Sequence, residues 1–374
     1  MKDKKLGLIV NPIAGMGGKV GLKGTDGEEI LRKAKVMGAQ SESPKRAVEA
    51  LKRMWRIRNS VKLITYPHEM GEYEAKECGL SPNVIGSITS GKTTSRDTEN
   101  AANELLELGV DLLLFAGGDG TARDICNAVG DKVAVLGIPA GVKIHSAVYA
   151  TNSRNAGDLA DMYLSGESGI RLRKAEVMDI DEDAFRNNRV AARLYGYLNV
   201  PYRAGLVQSG KSGTNSSEEA MIDAIACDVV NNMDDECIYI ISSGTTTQAI
   251  KGKLGLKGTL LGIDAVYRGE LIGSDLNEAQ LLSLIEGKKA KIVATIIGGQ
   301  GYIFGRGNQQ ISTRVIKKVG KDNIMVVATG RKILSLRGNP LLVDTGDEEV
   351  DKMLAGHIQV ITGLNERTVA EISP

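Results

Sequence analysis

The chain carries almost no net charge: Lys plus Arg number 47 against 46 for Asp plus Glu, a formal +1. No long-range positive field exists to gather DNA, RNA or an anionic membrane, so any phosphate must be held locally. Cysteine is scarce. The four residues at 78, 126, 227 and 237 form no Cys-x-x-Cys pair, and the histidines at 68, 145 and 357 complete no zinc-ligand spacing. This usage fits a reduced, intracellular chain. Long apolar runs are missing too. Leu6 to Val10 ends at Asn11-Pro12, too short for an export signal, and no uncharged stretch approaches the roughly 18–20 residues of a membrane span. A cytoplasmic protein without membrane or nucleic-acid partners is expected.

What is abundant is glycine: 45 of 374 residues, about 12%, against roughly 7% in an average chain. Something in the fold needs bare backbone. Hydrophobic residues at 42% and charged residues at 25% belong to an ordinary globular protein, long enough for two domains.

Over residues 1–150, short apolar runs alternate with amphipathic segments, the pattern of a doubly wound α/β domain. Candidate strands are Leu6 to Val10, Val61 to Tyr66, Asn83 to Ile88, Asp111 to Phe115 and Val133 to Gly137; candidate helices are Pro44 to Arg56, Thr98 to Leu108 and Thr121 to Val129. After about Thr151 strand-like segments predominate, among them Ala191 to Val200, Cys237 to Ser242 and Thr259 to Tyr267, around one helix from Ser216 to Asn231. Residues 151–305 are therefore expected to form a β-rich second domain. Residues 306–374 return to α/β alternation and are expected to pack back on the first domain.

The strongest local signal is Ala116-Gly117-Gly118-Asp119-Gly120-Thr121, a glycine turn between a buried strand and a helix start. Such a junction aims free backbone N–H groups and the positive end of the helix dipole at one spot, which suits a phosphate. A carboxylate is costly beside an anion unless it takes a proton or meets a hydroxyl or a metal, so Asp119 is a candidate general base. The alternative is a tight turn with Asp119 as helix cap. A second loop, Asn11-Pro12-Ile13-Ala14-Gly15-Met16-Gly17-Gly18, follows the first strand and can share the same sheet edge. Gly86 to Thr93 fits G-x-x-x-x-G-K-[ST], a pattern that chance supplies roughly once in twenty such sequences; a polar turn before the next helix is the preferred reading. Ser242 to Thr247 places five hydroxyls around Gly244, useful for phosphate or ribose oxygens.

Gly117 to Thr121, Asn11-Pro12 with its glycine loop, Gly137-Ile-Pro-Ala-Gly141 and Ser243-Gly-Thr-Thr-Thr247 together resemble the landmarks of the ATP-NAD kinase family, in order. The nearest likeness is to its predicted polyphosphate/ATP-NAD kinase branch, which includes the acetoin-catabolism protein X type. The resemblance implies an α/β nucleotide domain joined to a β-rich domain with the site in the cleft, and assembly as a homodimer or homotetramer. It implies phosphoryl transfer from ATP, or from polyphosphate, to the 2′-hydroxyl of NAD, with Mg²⁺ on the donor and no dedicated protein metal ligand. Asp119 would take the hydroxyl proton. Asn11, Gly15, Gly17, Gly18, Gly117, Gly118, Gly120, Thr121, Gly141, Gly244, Thr245 and Thr246 would hold nucleotide or phosphate. By residue type alone, the loop after Gly141 offers Lys143 to a phosphate and His145 to a substrate hydroxyl, the alternative for each being a plain structural role.

Where that family carries an Asn-Glu pair that grips the dinucleotide, this chain reads Glu176-Val-Met-Asp179-Ile-Asp181-Glu182, which points to Asp179 and Asp181 as substitutes. Its Gly141 loop lacks the Gly-Thr-x-Asn-Asp of the related lipid kinases, and no Thr-x-Asp-x-Asp of the phosphofructokinases occurs. The alternatives left open are a kinase of another hydroxyl compound, lipid or small molecule, and a non-catalytic nucleotide sensor.

Overall fold

Five apolar runs become the strands of a first sheet: β1 (Lys4–Val10), β2 (Val61–Thr65), β3 (Asn83–Val84), β4 (Leu112–Gly117) and β5 (Val135–Pro139). The computed structural model describes residues 4–18, 20–22, 28–58, 60–141, 144–180, 192–203, 206–207, 216–297 and 300–374. The five strands are parallel in the order β3-β2-β1-β4-β5, with Leu6 opposite Leu112 and Val10 opposite Ala116. β4 and β5 are buried along their whole length, as strands covered on both faces must be, and this produces their unbroken apolar sequence. Helices Ser43–Arg53, Ser95–Glu107 and Asp119–Val129 bring Ala47, Leu51, Ala101, Leu105, Ala122 and Ile125 into the same core. The chain leaves β1 toward β2 and leaves β4 toward β5. The loops at these two carboxyl ends diverge, which opens a crevice between them.

Contacts divide the chain into one unit of Met1–Met16 with Gly24–Gly210 and another of Gly17–Lys23 with Lys211–Pro374. The change expected near Thr151 thus falls later. The antiparallel ribbon of β6 (Arg171–Ile180) and β7 (Ala192–Tyr202) belongs to the first unit, because Ala175, Val177, Leu198 and Val200 are buried in the first core.

The second unit is β-rich, with nine strands in one sheet: β8 (Ile238–Ile241), β9 (Asp264–Tyr267), β10 (Glu270–Gly273), β11 (Ala290–Thr295), β12 (Tyr302–Phe304), β13 (Ile324–Val327), β14 (Leu341–Val343), β15 (Gly356–Gly363) and β16 (Glu366–Ser373). Their order is β10-β9-β8-β11-β13-β15-β16-β14-β12. Alternation along β8 sends Ile238 and Ile240 into one core and Tyr239 and Ile241 into another, where Ile225 and Val229 of the Ser216–Asn231 helix meet them. Strands β13 to β16 lie within residues 306–374. That segment completes the second sheet rather than adding to the first, since its apolar strand residues need this sheet's cores. Among the described residues no helix is long and apolar enough to cross a membrane.

Glu74, in the helix Glu72–Glu77, is only 4% exposed, and its Oε2 has no hydrogen-bond partner among the described residues. Burial pushes its carboxyl up to about 7, and the charges of Glu77 and Glu69 add to the rise. A raised carboxyl favours the protonated folded state. Its stabilisation is complete below the unfolded value and is lost as pH rises through the folded one, a loss on the order of 3 kcal/mol by pH 8.5. Urea denaturation at pH 5.5 and 8.5 should show Glu74→Gln relieving this loss. Equal pH dependence in variant and parent would refute it.

Candidate functional site

In the first unit the site grows from the carboxyl end of β4. Gly118 caps the helix Asp119–Val129, whose first helical hydrogen bond runs from the Ala122 N–H to the Gly118 carbonyl at 3.1 Å. The N–H groups of Asp119, Gly120 and Thr121 lie ahead of that bond, where a helix offers amides to an anion. Asp119 is therefore the first helical residue and not the cap. Its buried carboxylate accepts from the His145 N–H at 2.8 Å (Oδ2) and from the Ser146 N–H at 2.9 Å (Oδ1). The ring Nδ1 of His145, itself 4% exposed, stands 3.4 Å from Oδ2. One carboxylate thus ties the helix start to the loop after β5. The Ser146 hydroxyl in turn accepts from the Met178 N–H at 2.9 Å.

The glycines pack backbone against backbone. Gly117 O accepts from the N–H groups of Ala140 at 3.0 Å and Gly141 at 3.1 Å. A Cβ on Gly141 would stand 2.8 Å from Gly118 Cα, and one on Gly15, whose φ is +83°, would overlap the Ala140 carbonyl oxygen. Three of the glycine elements read from the sequence therefore meet in one place: Gly15, Gly117-Gly118 and Gly141. Asn11 joins them, its Nδ2 donating to Thr121 Oγ1 at 2.9 Å, while its own N–H reaches the Ala116 carbonyl at 2.9 Å. The Asn11 amide and the Thr121 hydroxyl, expected at a phosphate, are bonded to each other, which fixes the mouth of the crevice.

Gly17 and Gly18 fall in the second unit, where a Cβ on Gly18 would meet the Gln309 side chain at 3.2 Å. In the same unit Ser243 Oγ donates to the Gly307 carbonyl at 2.8 Å. Gly244, at φ +138°, begins the helix Thr245–Lys253 and donates its N–H to the Leu260 carbonyl at 2.9 Å. Thr245 is exposed, whereas Thr246 is fully buried and its hydroxyl accepts from Lys332 Nζ at 3.0 Å. The hydroxyl cluster is thus a strand-turn-helix junction like that at Gly118. Lys332 escaped the sequence reading, although it follows a third such junction, where Thr329 caps the helix Gly330–Ser335 after β13.

Lys143 and Asp181 lie outside the described residues, and of Asp179 only its place in β6 is described. The stretch Gly86 to Thr93 is no phosphate loop. The Gly91 N–H and the Ser90 hydroxyl are bound to the Glu69 carboxylate at 2.5 and 2.9 Å, and the following helix starts only at Ser95, capped by Thr94.

Residues 6–168 match the family model of the ATP-NAD kinase N-terminal domain, and residues 234–372 match that of the ATP-NAD kinase C-terminal domain. No curated protein matches the chain. A solved structure of a diacylglycerol kinase from Bacillus anthracis str. Sterne is similar at 17% identity, covering 48% of this chain and 47% of that one, with a TM-score of 0.26. A second structure described as a diacylglycerol kinase of that organism shows 16% identity over 48% of this chain and 46% of the other, with a TM-score of 0.27. The similarity spans about half the length of those proteins.

Proposed function

Since the chain belongs to the ATP-NAD kinase family, and so to the ATP-dependent kinases, we propose that it transfers the γ-phosphoryl group of ATP to the 2′-hydroxyl of NAD, giving NADP. Polyphosphate is the second candidate donor. The observation that carries this reading is Asp119, a buried carboxylate held at two oxygens beside the free amides of a helix start. Each oxygen spends one lone pair on a backbone N–H and keeps another for the incoming hydroxyl. The two amides hold the carboxylate and aim it, so that the proton of the acceptor hydroxyl passes to Asp119 as the oxygen attacks phosphorus and ADP leaves. The amides opening the Asp119–Val129 helix hold phosphate oxygens against it.

Magnesium, expected with ATP, would supply charge neutralisation to the transferred group when bound. Among the described residues no cluster of three or more His, Cys, Asp or Glu side chains could hold a metal by itself. A second acceptor is favoured by one observation: the family's Asn-Glu pair has no counterpart in Glu176 to Glu182, so another hydroxyl compound competes with NAD as substrate. Incubation with each donor, Mg²⁺ and NAD, followed for NADP, tests the reading. Absence of NADP with both donors, alongside transfer to a different hydroxyl compound, would replace NAD.

A further inference from the structure

The parallel strands β8, β11 and β13 begin at one edge of the second sheet, with Ile238 beside Ala290 and Ile292 beside Ile324. This is the edge opposite the Gly244 turn. Thr295, which packs under Gly244, and Ala290 mark the two ends of β11, about 16 Å apart at roughly 3.3 Å per residue. A cleft of about 470 Å³ opens at the amino ends, within the roughly 300–1,000 Å³ of small-molecule sites. Lysines reach it from three segments: Lys288 and Lys289 from the turn before β11, Lys291 from β11 itself, and Lys318 from the last turn of the helix Thr313–Val319. Pairing with β8 fixes two of them, since the Ile238 N–H donates to the Lys289 carbonyl at 3.0 Å and Lys291 stands opposite Tyr239.

Four lysines against one lining carboxylate, Asp234, leave the cleft positive. Beyond the lining, Glu236 stands 3.9 Å from Lys289 with both side chains at least 75% exposed, and Glu286 pairs with Lys318. Such exposed pairs are weak. Among the described residues Lys288 and Lys291 have no carboxylate within ion-pair distance, and the Lys291 ammonium lies 5.9 Å from the centre of the Tyr239 ring. Like charges gathered in one cleft repel, and a bound anion relieves that cost. Residue type narrows the anion. No arginine lines the cleft, so the planar fork that grips a carboxylate at two points is missing, whereas ammonium groups arriving from several segments suit the tetrahedral oxygens of a phosphate. Asp234 accepts the Glu236 N–H at 2.9 Å through one oxygen and keeps the other for a hydroxyl. Asn323 donates to the Val319 carbonyl at 2.8 Å, which leaves its side-chain oxygen as a further acceptor.

We propose that this cleft is a ligand site of the second unit, distinct from the Gly244 turn, that binds a phosphate ester with a hydroxylated body. Lys288 and Lys291, with Lys289 and Lys318 beside them, hold the phosphate. Asp234 and Asn323 accept from the hydroxyls, and Ile285 and Val319 supply an apolar wall.

The test uses ribose 5-phosphate as probe and acetylation of the full chain by a lysine-selective reagent, mapped by peptide mass spectrometry at constant ionic strength. The ester is expected to slow acetylation of Lys288 and Lys291 while leaving Lys352, whose side chain is 69% exposed, unchanged. In Lys291→Met, which removes one half-buried ammonium, the concentration that half-protects Lys288 should rise about tenfold, and Lys291→Arg should recover most of that change. Unprotected lysines in the parent, an unshifted midpoint in Lys291→Met, or equal protection by ribose alone overturns the proposal. Equal protection by citrate overturns the choice of phosphate, and inorganic phosphate matching the ester overturns the part given to Asp234 and Asn323. The readout needs no turnover, so the site stands or falls apart from NADP formation.

Discussion

Asp119→Asn is expected to lower NADP formation by a factor on the order of 10²–10⁴, the range for loss of a positioned general base. The geometry adds a second effect. Both carboxylate oxygens accept a backbone N–H, from His145 and Ser146, and an amide has only one oxygen to offer. In the variant one of these amides faces the NH₂ group instead, at a cost of about 1–3 kcal/mol for a buried donor left unmade. Activity and stability must therefore be read together. Initial rates with ATP, Mg²⁺ and NAD, beside urea denaturation and ATP binding, separate the two. A folded, ATP-binding variant with undiminished turnover would rule Asp119 out as base.

The largest stability effect is expected at Asp264. Its carboxylate and Lys251 are both fully buried, 2.6 Å apart. Asp264 also accepts from the Thr259 N–H at 2.7 Å, the Thr259 hydroxyl at 2.9 Å and the Asp275 N–H at 2.9 Å. Asp264→Ala leaves an uncompensated ammonium in the second unit, which should cost about 3–5 kcal/mol, whereas replacing both partners by apolar residues should recover much of that. Urea denaturation of the single and double variants decides; equal loss in both would show that the pair itself is stabilising. Burial opposes ionisation of Asp264, but the Lys251 ammonium and the backbone N–H groups outweigh it and hold the carboxyl below its ordinary value. The contribution is therefore present above the unfolded value and disappears as pH falls through the lower folded one.

The first sheet was legible because strands buried on both faces must be apolar throughout, so Leu6 to Val10 and Leu112 to Phe115 stand out from their polar helices. The helix Thr245–Lys253 was not. Three threonines and Gly252 give it poor intrinsic propensity, and burial of Ile250 in the core does what propensity does not. Strands of three residues, such as β12 and β14, carry too little pattern to read. At the site the glycine turn was visible locally. The partners of Asp119 at His145 and Ser146, and of Thr246 at Lys332, were not, because nothing in a linear pattern reports a hydrogen bond between segments so far apart in the chain.

Gly17–Lys23 belongs by its contacts to the second unit, although it sits between two stretches of the first. Its neighbours include Asn277, Gln309 and Gln310. On the ribosome, at roughly 5–20 residues per second, those neighbours emerge on the order of tens of seconds after the heptapeptide does. The first sheet can close in that interval while the loop following β1 still waits for its place. A nascent chain interrupted before Asn277 would thus hold a finished nucleotide-type sheet from which one glycine-rich segment protrudes, a natural point for a protease to recognise unfinished product.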